Sequence, residues 1–511
     1  MRETRAGQLW RGSRASPEMR PLVSENSRIE GSVGAASISD SESQPLSALF
    51  PSEDDRRRRE QFLGAALAAA QARIVEGSVT PTVDPSSIRD ELLRFDFAAS
   101  RPFEELITWV IARMEDGIVH FTHPRYLGLF NPAPAFPAEC ADRIAGVFNP
   151  QLATASTSPA AVEIERHTIL AVGQRAGLSG DVGGHFTTGG SEANYTALLC
   201  ALTRACGRFA AEGARAFVGP PVFYVSRESH LAWLKIAHQA GIGRMAARMI
   251  ATDGNGRMRP DSLAQSIERD RAQGNVPVMI VATAGTTGAG AIDPLIACGE
   301  IARDADVWYH VDAAWGGALI ASDRLRHRLA GIERADSITI DAHKWFATTM
   351  GCGMFITTQA SLLPEVFGVS ASFMPPSSAH TFDPYTSSVQ WSRRFLGLRL
   401  FLALASSGWA GYAAHVERAV ALAGVLQHAL ASRGWRIVND PALAVICAEP
   451  PAGAGSVMEI VGRVLASGRA WVSAAKFEGR DVVRACITNG KTTRRDIMAA
   501  VDALEAACRR A

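Results

Sequence analysis

The feature of this sequence that most limits its fold is an alternation of short apolar runs and helical stretches between Gly183 and about Thr357. Runs of strand length, such as PVFYVS, VPVMIVAT and SITID, alternate with stretches such as EANYTALLCALTRAC and PLIACGEIARDA. Alternation of this kind is typical of a largely parallel, doubly wound sheet covered by helices. The sequence therefore predicts an α/β fold whose ligands bind beyond the carboxyl ends of the strands.

The segments on either side of this alternation differ in composition. Residues 1–52 are rich in Arg, Ser, Glu and Gly and contain no apolar core of a signal peptide, so we expect a disordered tail. Residues 53–130 include FLGAALAAAQARIV and PFEELITWVIARM, whose apolar residues recur at helical spacing. We expect a large domain over residues 131–394. A smaller α+β domain is expected over residues 395–511, where WRIVN, LAVICAE and DVVRACITN have the composition of strands.

Composition excludes several classes of protein. A chain of 511 residues with 47% hydrophobic side chains can bury an enzyme-sized core. Its formal net charge is +1, and apart from the short run Arg56 to Arg59 it has no basic tract, so nucleic acid is not an expected partner. The eight cysteines show neither C-x-x-C pairs nor metal-ligand spacing with histidine. We therefore expect no metal site, and reduced thiols in a cytoplasm.

The longest apolar region, FLGLRLFLALASSGWAGYAAHV, is not typical of a membrane span. It contains Arg399 and is preceded by Arg393 and Arg394. The sequence therefore predicts a buried or amphipathic helix there, and no membrane partner.

A glycine-rich turn precedes one of the predicted helices. In HFTTGGSEANYTALL, Gly189, Gly190 and Ser191 stand before a helix that begins near Glu192. Free backbone N–H groups at a helix start, with a hydroxyl and no bulky side chain, form a cradle for phosphate. An ordinary turn with Ser191 as the N-cap is an equally good interpretation of this segment alone.

A carboxylate follows another predicted strand. In YHVDAAWGG, Asp312 ends the apolar run Val307 to Val311. Such a carboxylate is either a helix cap or rim charge, or an anion held against a cationic ring nitrogen, which keeps that ring protonated as an electron sink.

Two further strand ends carry polar or glycine-rich segments. In SRESHLAWLK, His230 is either a cap or packed ring or a flat group that stacks on an aromatic cofactor. The segment ATAGTTGAGAIDPL imitates a dinucleotide-binding loop. It lacks the G-x-G-x-x-G order, however, and Asp293-Pro294 interrupts the helix start, so a nicotinamide cofactor is not favoured.

Lys344 completes the set of unusual residues. It follows the apolar run of SITIDAHKWFATTMGCGMFIT, where a lysine is either a solvated charge or an amine held inside a site. A phosphate cradle, a carboxylate for a ring nitrogen, a stacking histidine and a lysine are the parts that hold pyridoxal phosphate (PLP) as a Schiff base. The combination favours the second interpretation.

The sequence resembles the group II, fold-type I PLP-dependent amino-acid decarboxylases, the family of the aromatic-amino-acid, glutamate, cysteine-sulfinate and diaminobutyrate enzymes. The resemblance runs from about Phe62 to the end of the chain. It rests on segments in matching order, among them HPRYLGLFNP, SPAAVEIE, TTGGSEANYTAL, GTTGAGAIDP, HVDAAWGG, DAHKW, WSRRFLGLRLFLAL and VVRACITNGKTT. Its implied fold is the fold-type I transferase fold.

The resemblance implies a role for each residue of the site. Lys344 binds PLP as a Schiff base, Asp312 pairs with the pyridine nitrogen, and His230 stacks on the ring near the substrate carboxylate. It also implies that the phosphate is bound by Gly190, Ser191 and His343. Thr287 would contact the cofactor, and Ala314 would pack on the ring face.

The resemblance also implies a homodimer with its active sites at the subunit interface. Residues 53–130 would then be the helical dimerisation segment and residues 131–394 the PLP-binding domain. The segment FLGAALAAAQARIV would otherwise expose an apolar face.

One position departs from the family pattern. In the aromatic-amino-acid enzymes a loop tyrosine protonates the substrate carbon after CO2 has left, and an ungapped reading of VFGVSASFMPPSSAH places Phe373 there. Phenylalanine has no proton to donate, and in some plant and insect relatives it accompanies oxidative formation of an aldehyde. The alternatives are a one-residue slip of the loop, or His380 or Tyr385 as the acid.

The predicted reaction is removal of the α-carboxylate of an L-amino acid to give an amine and CO2. Alternatives are an aldehyde-forming oxidative deamination, or an aminotransferase or aldehyde lyase on the same fold. A binding protein without catalysis would need the loss of Lys344 or Asp312, and both are present. The residues that resemble substrate-pocket positions form a mixed lining that does not name the substrate: Leu129, Phe130, Asn131, Gln151 and Ala153.

Overall fold

A computed structural model describes residues 44–369 and 383–509 of the chain. The chain divides into two compact units, of which the first ends at Arg58 and the second begins at Arg59. The described part of the first unit contains a short helix, Gln44–Leu49, and the beginning of a longer helix, Glu53–Glu76. The elements discussed below belong to the second unit.

The α-helices account for half of the described residues outside the sheets. In chain order they are α1 (Gln44–Leu49), α2 (Glu53–Glu76), α3 (Pro85–Leu92), α4 (Phe103–Gly117), α5 (Phe136–Phe148), α6 (Pro159–Arg175), α7 (Gly190–Ala205), α8 (Phe209–Glu212), α9 (Ala232–Gln239), α10 (Pro260–Ala272), α11 (Leu295–Asp304), α12 (Leu363–Phe367), α13 (Leu398–Ala431), α14 (Val457–Ala466) and α15 (Arg494–Cys508).

A seven-stranded sheet occupies the centre of the second unit, in the order β1-β7-β6-β5-β4-β2-β3. Its strands are β1 (Gly183–Thr187), β2 (Pro221–Ser226), β3 (Ala247–Ile250), β4 (Val276–Thr283), β5 (Trp308–Asp312), β6 (Ser337–Asp341) and β7 (Gly353–Thr357). All of them run parallel except β7, which lies antiparallel between β1 and β6. The predicted alternation of strands and helices is therefore confirmed, and its strands are almost continuously apolar because helices cover both faces.

A second, four-stranded antiparallel sheet lies near the C-terminus, in the order β10-β11-β9-β8. Its strands are β8 (Arg436–Ile437), β9 (Val445–Glu449), β10 (Ser473–Phe477) and β11 (Arg480–Cys486). One hydrophobic core continues from the large sheet to this one. At the junction the indole N–H of Trp315 donates to the carbonyl of Leu443 over 3.1 Å.

The predicted apolar helix is α13, which bends at Gly408, where the backbone adopts φ 63°. The bend is possible because glycine alone carries no Cβ penalty in that conformation. Among the described residues, no helix is both long and apolar enough to cross a membrane.

A buried ion pair fixes the segment that leads into α13. The guanidinium of Arg393 donates to the carboxylate of Glu165 on α6, and both side chains are buried. The other carboxylate oxygen of Glu165 accepts from the backbone N–H of Gly397 over 2.8 Å. Because a buried charge without its partner is costly, this pair holds the start of α13 against α6.

Candidate active site

The site lies where the carboxyl ends of neighbouring parallel strands meet. Strands β1, β2, β4, β5 and β6 run in the same direction, so the segments that follow them converge at one edge of the sheet. The segments after these strands carry the predicted site residues. They surround a cavity of about 310 Å³.

The cavity is lined by residues from several elements that are distant in sequence. They are Phe130, Thr188, Gly189, Gly190, Ser191, Glu192, Asn194, His230, Thr283, Gly285, Thr287, Asp312, Ala314, Trp315, Asp341, His343 and Lys344.

The predicted phosphate cradle forms the turn between β1 and α7. The helix begins at Gly190, with Gly189 at the N-cap and no side chain accepting from the first-turn N–H groups. A Cβ atom on Gly190 would lie 2.9 Å from Asp341 Oδ2, and one on Gly189 would lie 3.3 Å from His343 Cε1. These close approaches require glycine, and they leave the helix N-terminus open to an anion.

Asp312 ends β5 and is almost completely buried. Its Oδ2 accepts from the side-chain amide of Asn194 over 2.8 Å, and its Oδ1 accepts from the backbone N–H of Ala314 over 3.2 Å. Both carboxylate oxygens thus accept a hydrogen bond from the protein, which fixes the side chain on the cavity wall.

Lys344 follows β6 and reaches the cavity through a short turn. Its Nζ lies 3.0 Å from Asp341 Oδ2, and Asp341 is buried. The neighbouring His343 donates from Nδ1 to the carbonyl of Cys352 over 2.9 Å and places Nε2 3.8 Å from the same carboxylate oxygen. Lys344 is thus an amine held inside a site, beside a carboxylate that keeps it at the wall.

His230 stands on the opposite side, between β2 and α9. Its Nδ1 accepts from the backbone N–H of Ala232 over 3.1 Å. A neutral imidazole that accepts at Nδ1 carries its proton on Nε2, so the ring presents a donor. His230 caps the turn into α9 and also lines the cavity. Its stacking on a cofactor ring stays a prediction.

Three residues that the sequence interpretation did not single out belong to this site. Asp341 holds Lys344, and Asn194 holds Asp312. Arg484, on β11, lies with its guanidinium carbon 4.9 Å from the ring centre of Phe130. The signal for Asp341 was its place at the strand end in DAHKW. Arg484 is 140 residues away from Lys344, and although it lies in the family-like segment VVRACITNGKTT, the sequence does not show that it lies near the site.

Arg484 has an unusual environment for a buried charge. Its Nε donates to the carbonyl of Thr287 over 2.9 Å, and its Nη1 donates to the carbonyl of Gly128 over 2.7 Å. Its Nη2 is buried and has no hydrogen-bond partner among the described residues. A buried guanidinium that faces carbonyl groups and an aromatic ring is suited to an anionic ligand.

Several other predicted residues either do not line the cavity or lie outside the part of the chain that the structure describes. Phe373 and His380 lie outside the described residues. Tyr385 is not among the cavity-lining residues; its ring packs against Trp391, with 4.8 Å between centroids. Of the predicted substrate positions only Phe130 lines the cavity; the other four are Leu129, Asn131, Gln151 and Ala153.

The residues present fit PLP. The glycine turn is open where a phosphate would lie, and Asp341 Oδ1 is buried without a hydrogen-bond partner among the described residues. A cavity of about 310 Å³ that joins an open helix N-terminus, an amine and an anion is suited to a small phosphorylated aldehyde. These are the features of a PLP-binding site on a doubly wound sheet.

Comparison with known families gives the same answer. The chain belongs to the pyridoxal-dependent decarboxylase family, whose conserved domain matches residues 96–449. The predictions of the family, and of pyridoxal phosphate as the family's cofactor, are therefore confirmed.

Individual relatives differ in the substrates that their names give. The chain is 30% identical to the acidic amino acid decarboxylase GADL1 of Mus musculus over 65% of this chain and 61% of that protein. It is 34% identical to the L-2,4-diaminobutyrate decarboxylase of Rhizobium meliloti over 56% of each chain. These matches thus span about three-fifths of the length of the two relatives.

A solved structure confirms the predicted fold-type I architecture. The crystal structure of Oryza sativa TDC with PLP and tryptamine is 25% identical, with a TM-score of 0.85 over 92% of this chain and 99% of the other.

Proposed function

We propose that the protein is a PLP-dependent amino-acid decarboxylase, which removes the α-carboxylate of an L-amino acid as CO2 and releases the amine. The observation that carries the proposal is the convergence of Lys344, Asp312, His230 and the Gly190 turn on one cavity. Membership of the pyridoxal-dependent decarboxylase family supports the same reaction.

The residues around the cavity would hold the cofactor at both ends. Lys344 would bind it covalently, and the backbone N–H groups at Gly190 and Ser191, with His343, would bind its phosphate. Asp312 would accept from the ring nitrogen, and His230 would lie against the ring face. Thr287 would contact the cofactor and Ala314 would pack on the ring face, and both residues line the cavity.

Bound PLP supplies an electron-poor ring that accepts the electron pair left when CO2 departs. Asp312 would face the ring nitrogen as its acceptor, and its hydrogen bonds from Asn194 and Ala314 hold the carboxylate in place. Asp341 holds the amine of Lys344 at the cavity wall. His230 lines the cavity, and its Nε2 is left to donate because its Nδ1 accepts from the backbone of Ala232.

Arg484 supports an amino-acid substrate in particular. Its free Nη2 lies in a buried environment without an acidic partner among the described ion pairs. A substrate carboxylate would satisfy that N–H group and neutralise the charge.

The test is incubation of the PLP-loaded protein with acidic, aromatic and diamino L-amino acids, with CO2 and amine measured together. We expect equal amounts of both from at least one class, without any requirement for a 2-oxo acid. Product that appears only when a 2-oxo acid is added would identify an aminotransferase instead.

The second candidate reaction, formation of an aldehyde, depends on Phe373. In that reaction the amino acid consumes one O2 and one water and gives the aldehyde, CO2, ammonia and hydrogen peroxide. We expect Phe373→Tyr to shift the products toward amine, because a phenol can protonate the substrate carbon and a benzyl group cannot. The measurement is the amine-to-aldehyde ratio under air and under nitrogen.

A phenylalanine remote from the cavity serves as the control. Phe209→Tyr, on α8, makes the same chemical change and should leave the product ratio unaltered. If wild type gives amine alone, and neither oxygen nor Phe373→Tyr changes that result, Phe373 does not direct the reaction and the plain decarboxylase remains.

We also propose a homodimer, supported by an exposed apolar surface next to the site. On α5, Val147 and Phe148 are 67% and 79% exposed. Met350 is also exposed, and its carbonyl accepts from Arg399, which binds Asp142 of α5, so it extends the same surface. Exposed apolar side chains on neighbouring elements are typical of a subunit interface.

Introducing charge into this surface should dissociate the dimer. Val147→Glu is expected to give a monomer in analytical ultracentrifugation, because a buried, unpaired carboxylate is costly at an apolar interface. Met458→Glu, on α14, is the control, since Met458 is 70% exposed on a different element and should leave the mass unchanged. A wild-type protein that sediments as a monomer would contradict the proposal.

We further propose a cytoplasmic location. All eight cysteines are free thiols in the structure. Free thiols persist in reducing compartments, which supports this location.

A further inference from the structure

A chain of hydrogen bonds runs from the body of the protein to Asp312. The indole N–H of Trp308 lies 2.8 Å from Ser337 Oγ, which lies 2.8 Å from His310 Nδ1. His310 Nε2 lies 3.1 Å from Asn194 Oδ1, and Asn194 Nδ2 lies 2.8 Å from Asp312 Oδ2. All five side chains are buried. We call these five residues the relay.

The direction of each hydrogen bond in the relay follows from its two ends. A carboxylate only accepts, so Asn194 presents its NH2 group to Asp312 and its carbonyl oxygen to His310. His310 Nε2 must therefore carry a proton. Burial lowers the pKa of His310 to about 4, so the ring is neutral and its Nδ1 has no proton. Ser337 must donate to Nδ1, and it accepts from the indole N–H of Trp308 at the other end.

Every donor in the relay thus points toward Asp312. The order is Trp308 to Ser337, Ser337 to His310, His310 to Asn194, and Asn194 to the carboxylate. Aligned hydrogen bonds polarise one another in a low-dielectric interior, which strengthens the last one. The ring of Trp233 covers His310 edge-on, with 5.8 Å between centroids.

We propose that the relay holds Asp312 as the anion and thereby keeps the proton on the ring nitrogen of bound PLP. His310 and Ser337 are positioning residues in this scheme, because neither lines the cavity. The inference rests on the proposed function, since it requires a pyridine ring beside Asp312.

The reason is that moving the proton of His310 from Nε2 to Nδ1 would also reverse the side-chain amide of Asn194. Without a donor at Nδ1, His310 can carry its proton there instead, and Nε2 then becomes an acceptor that faces the carbonyl oxygen of Asn194. That contact favours a flipped amide, which points its oxygen at Asp312. The carboxylate then loses its side-chain donor and becomes the stronger base, so the shared proton moves from the ring nitrogen to Asp312.

Two further contacts adjoin the relay. Thr339 Oγ1 lies 3.3 Å from His310 Nε2, and the backbone N–H of Ala314 donates to Asp312 Oδ1. Neither contacts His310 Nδ1, so among the described residues the hydroxyl of Ser337 is the side-chain donor to that nitrogen.

The test is Ser337→Ala, which removes one hydroxyl and leaves Asp312, Asn194 and His310 in place. Wild type and variant are loaded with PLP that carries nitrogen-15 in the ring, and the nitrogen resonance is recorded by NMR. We expect the variant's resonance to move toward that of the unprotonated ring. The Kd for PLP, from equilibrium dialysis, should rise about tenfold, the effect of one hydrogen bond to a charged group.

Two variants separate the relay from a general loss of stability. Ser337→Thr keeps the hydroxyl and should restore the wild-type resonance. Ser322→Ala removes another fully buried hydroxyl, one that donates to Glu417 and does not line the cavity, and should change neither the resonance nor the Kd. If Ser337→Ala does not fold, Trp308→Phe takes its place, because it removes the first donor and keeps an aromatic ring. The same shift, in a smaller amount, is expected.

The outcomes distinguish this inference from the proposed function. Suppose that wild type takes up PLP and that a folded relay variant shows the same nitrogen resonance and the same Kd. This result would overturn the relay alone. A wild-type protein that takes up no PLP would overturn the proposed function, and the relay with it.

Discussion

Replacing Lys344 with alanine is expected to abolish turnover and to remove covalently bound PLP. The chain contains four lysines, Lys235, Lys344, Lys476 and Lys491, and Lys344 is the one that lines the cavity. The other three are solvent-exposed. Borohydride reduces a lysine–PLP linkage to a stable amine, so peptide mapping of the reduced protein shows which lysine carries the label.

Lys476→Ala is the matched control for this experiment. Lys476 is an exposed lysine that pairs with Asp481 on the small sheet, so its loss should leave both the label and the rate unchanged. A label on a lysine other than Lys344, or normal turnover by Lys344→Ala, would contradict the assignment of the site.

Removing the charge of Asp312 is expected to have the second-largest effect. Both Asp312→Ala and Asp312→Asn should lower kcat by about three orders of magnitude, roughly 4 kcal/mol of activation free energy. The asparagine keeps the shape but not the charge, and an uncharged neighbour cannot hold the proton on the ring nitrogen. The measurements are kcat and the visible absorption of the bound cofactor.

Asp270→Asn provides a control of equal burial. Asp270 and Asp312 are each 5% exposed, but Asp270 pairs with Arg248 away from the cavity. Its loss should lower the melting temperature and leave kcat nearly unchanged. A nearly normal kcat for Asp312→Asn would show that Asp312 is only a cap.

The strand ends are where the predicted site residues stood out in the sequence. Lys344, Asp312 and His230 each follow an apolar run, and a polar residue directly after a buried strand stands out against its neighbours. Parallel strands end at the same edge, so the expectation that these residues meet followed from the alternation itself. The antiparallel β7, between β1 and β6, was not foreseen, because a short apolar run does not show its direction.

The partners of these residues were not predicted. Asn194 lies inside a helical stretch, and nothing in its neighbourhood indicates that it faces Asp312. Arg484 lies in the small sheet and contacts Thr287 and Phe130, two residues that line the cavity. The exposed face of α5 was not predicted either, and the packing of α5 against α13 shows which side stays uncovered.

The sequence by itself determined the α/β class, the family, the cofactor and the residues expected to touch that cofactor. These follow from local order along the chain, which is set by hydrophobic period and by the residue types at strand ends. Only the tertiary structure decided which groups hold Asp312 and Lys344 in place, and that an unpaired arginine from the small sheet lies beside the cavity. The contact between Asn194 and Asp312 joins residues 118 positions apart. Distances of this kind depend on strand order and helix packing, which a local pattern does not encode.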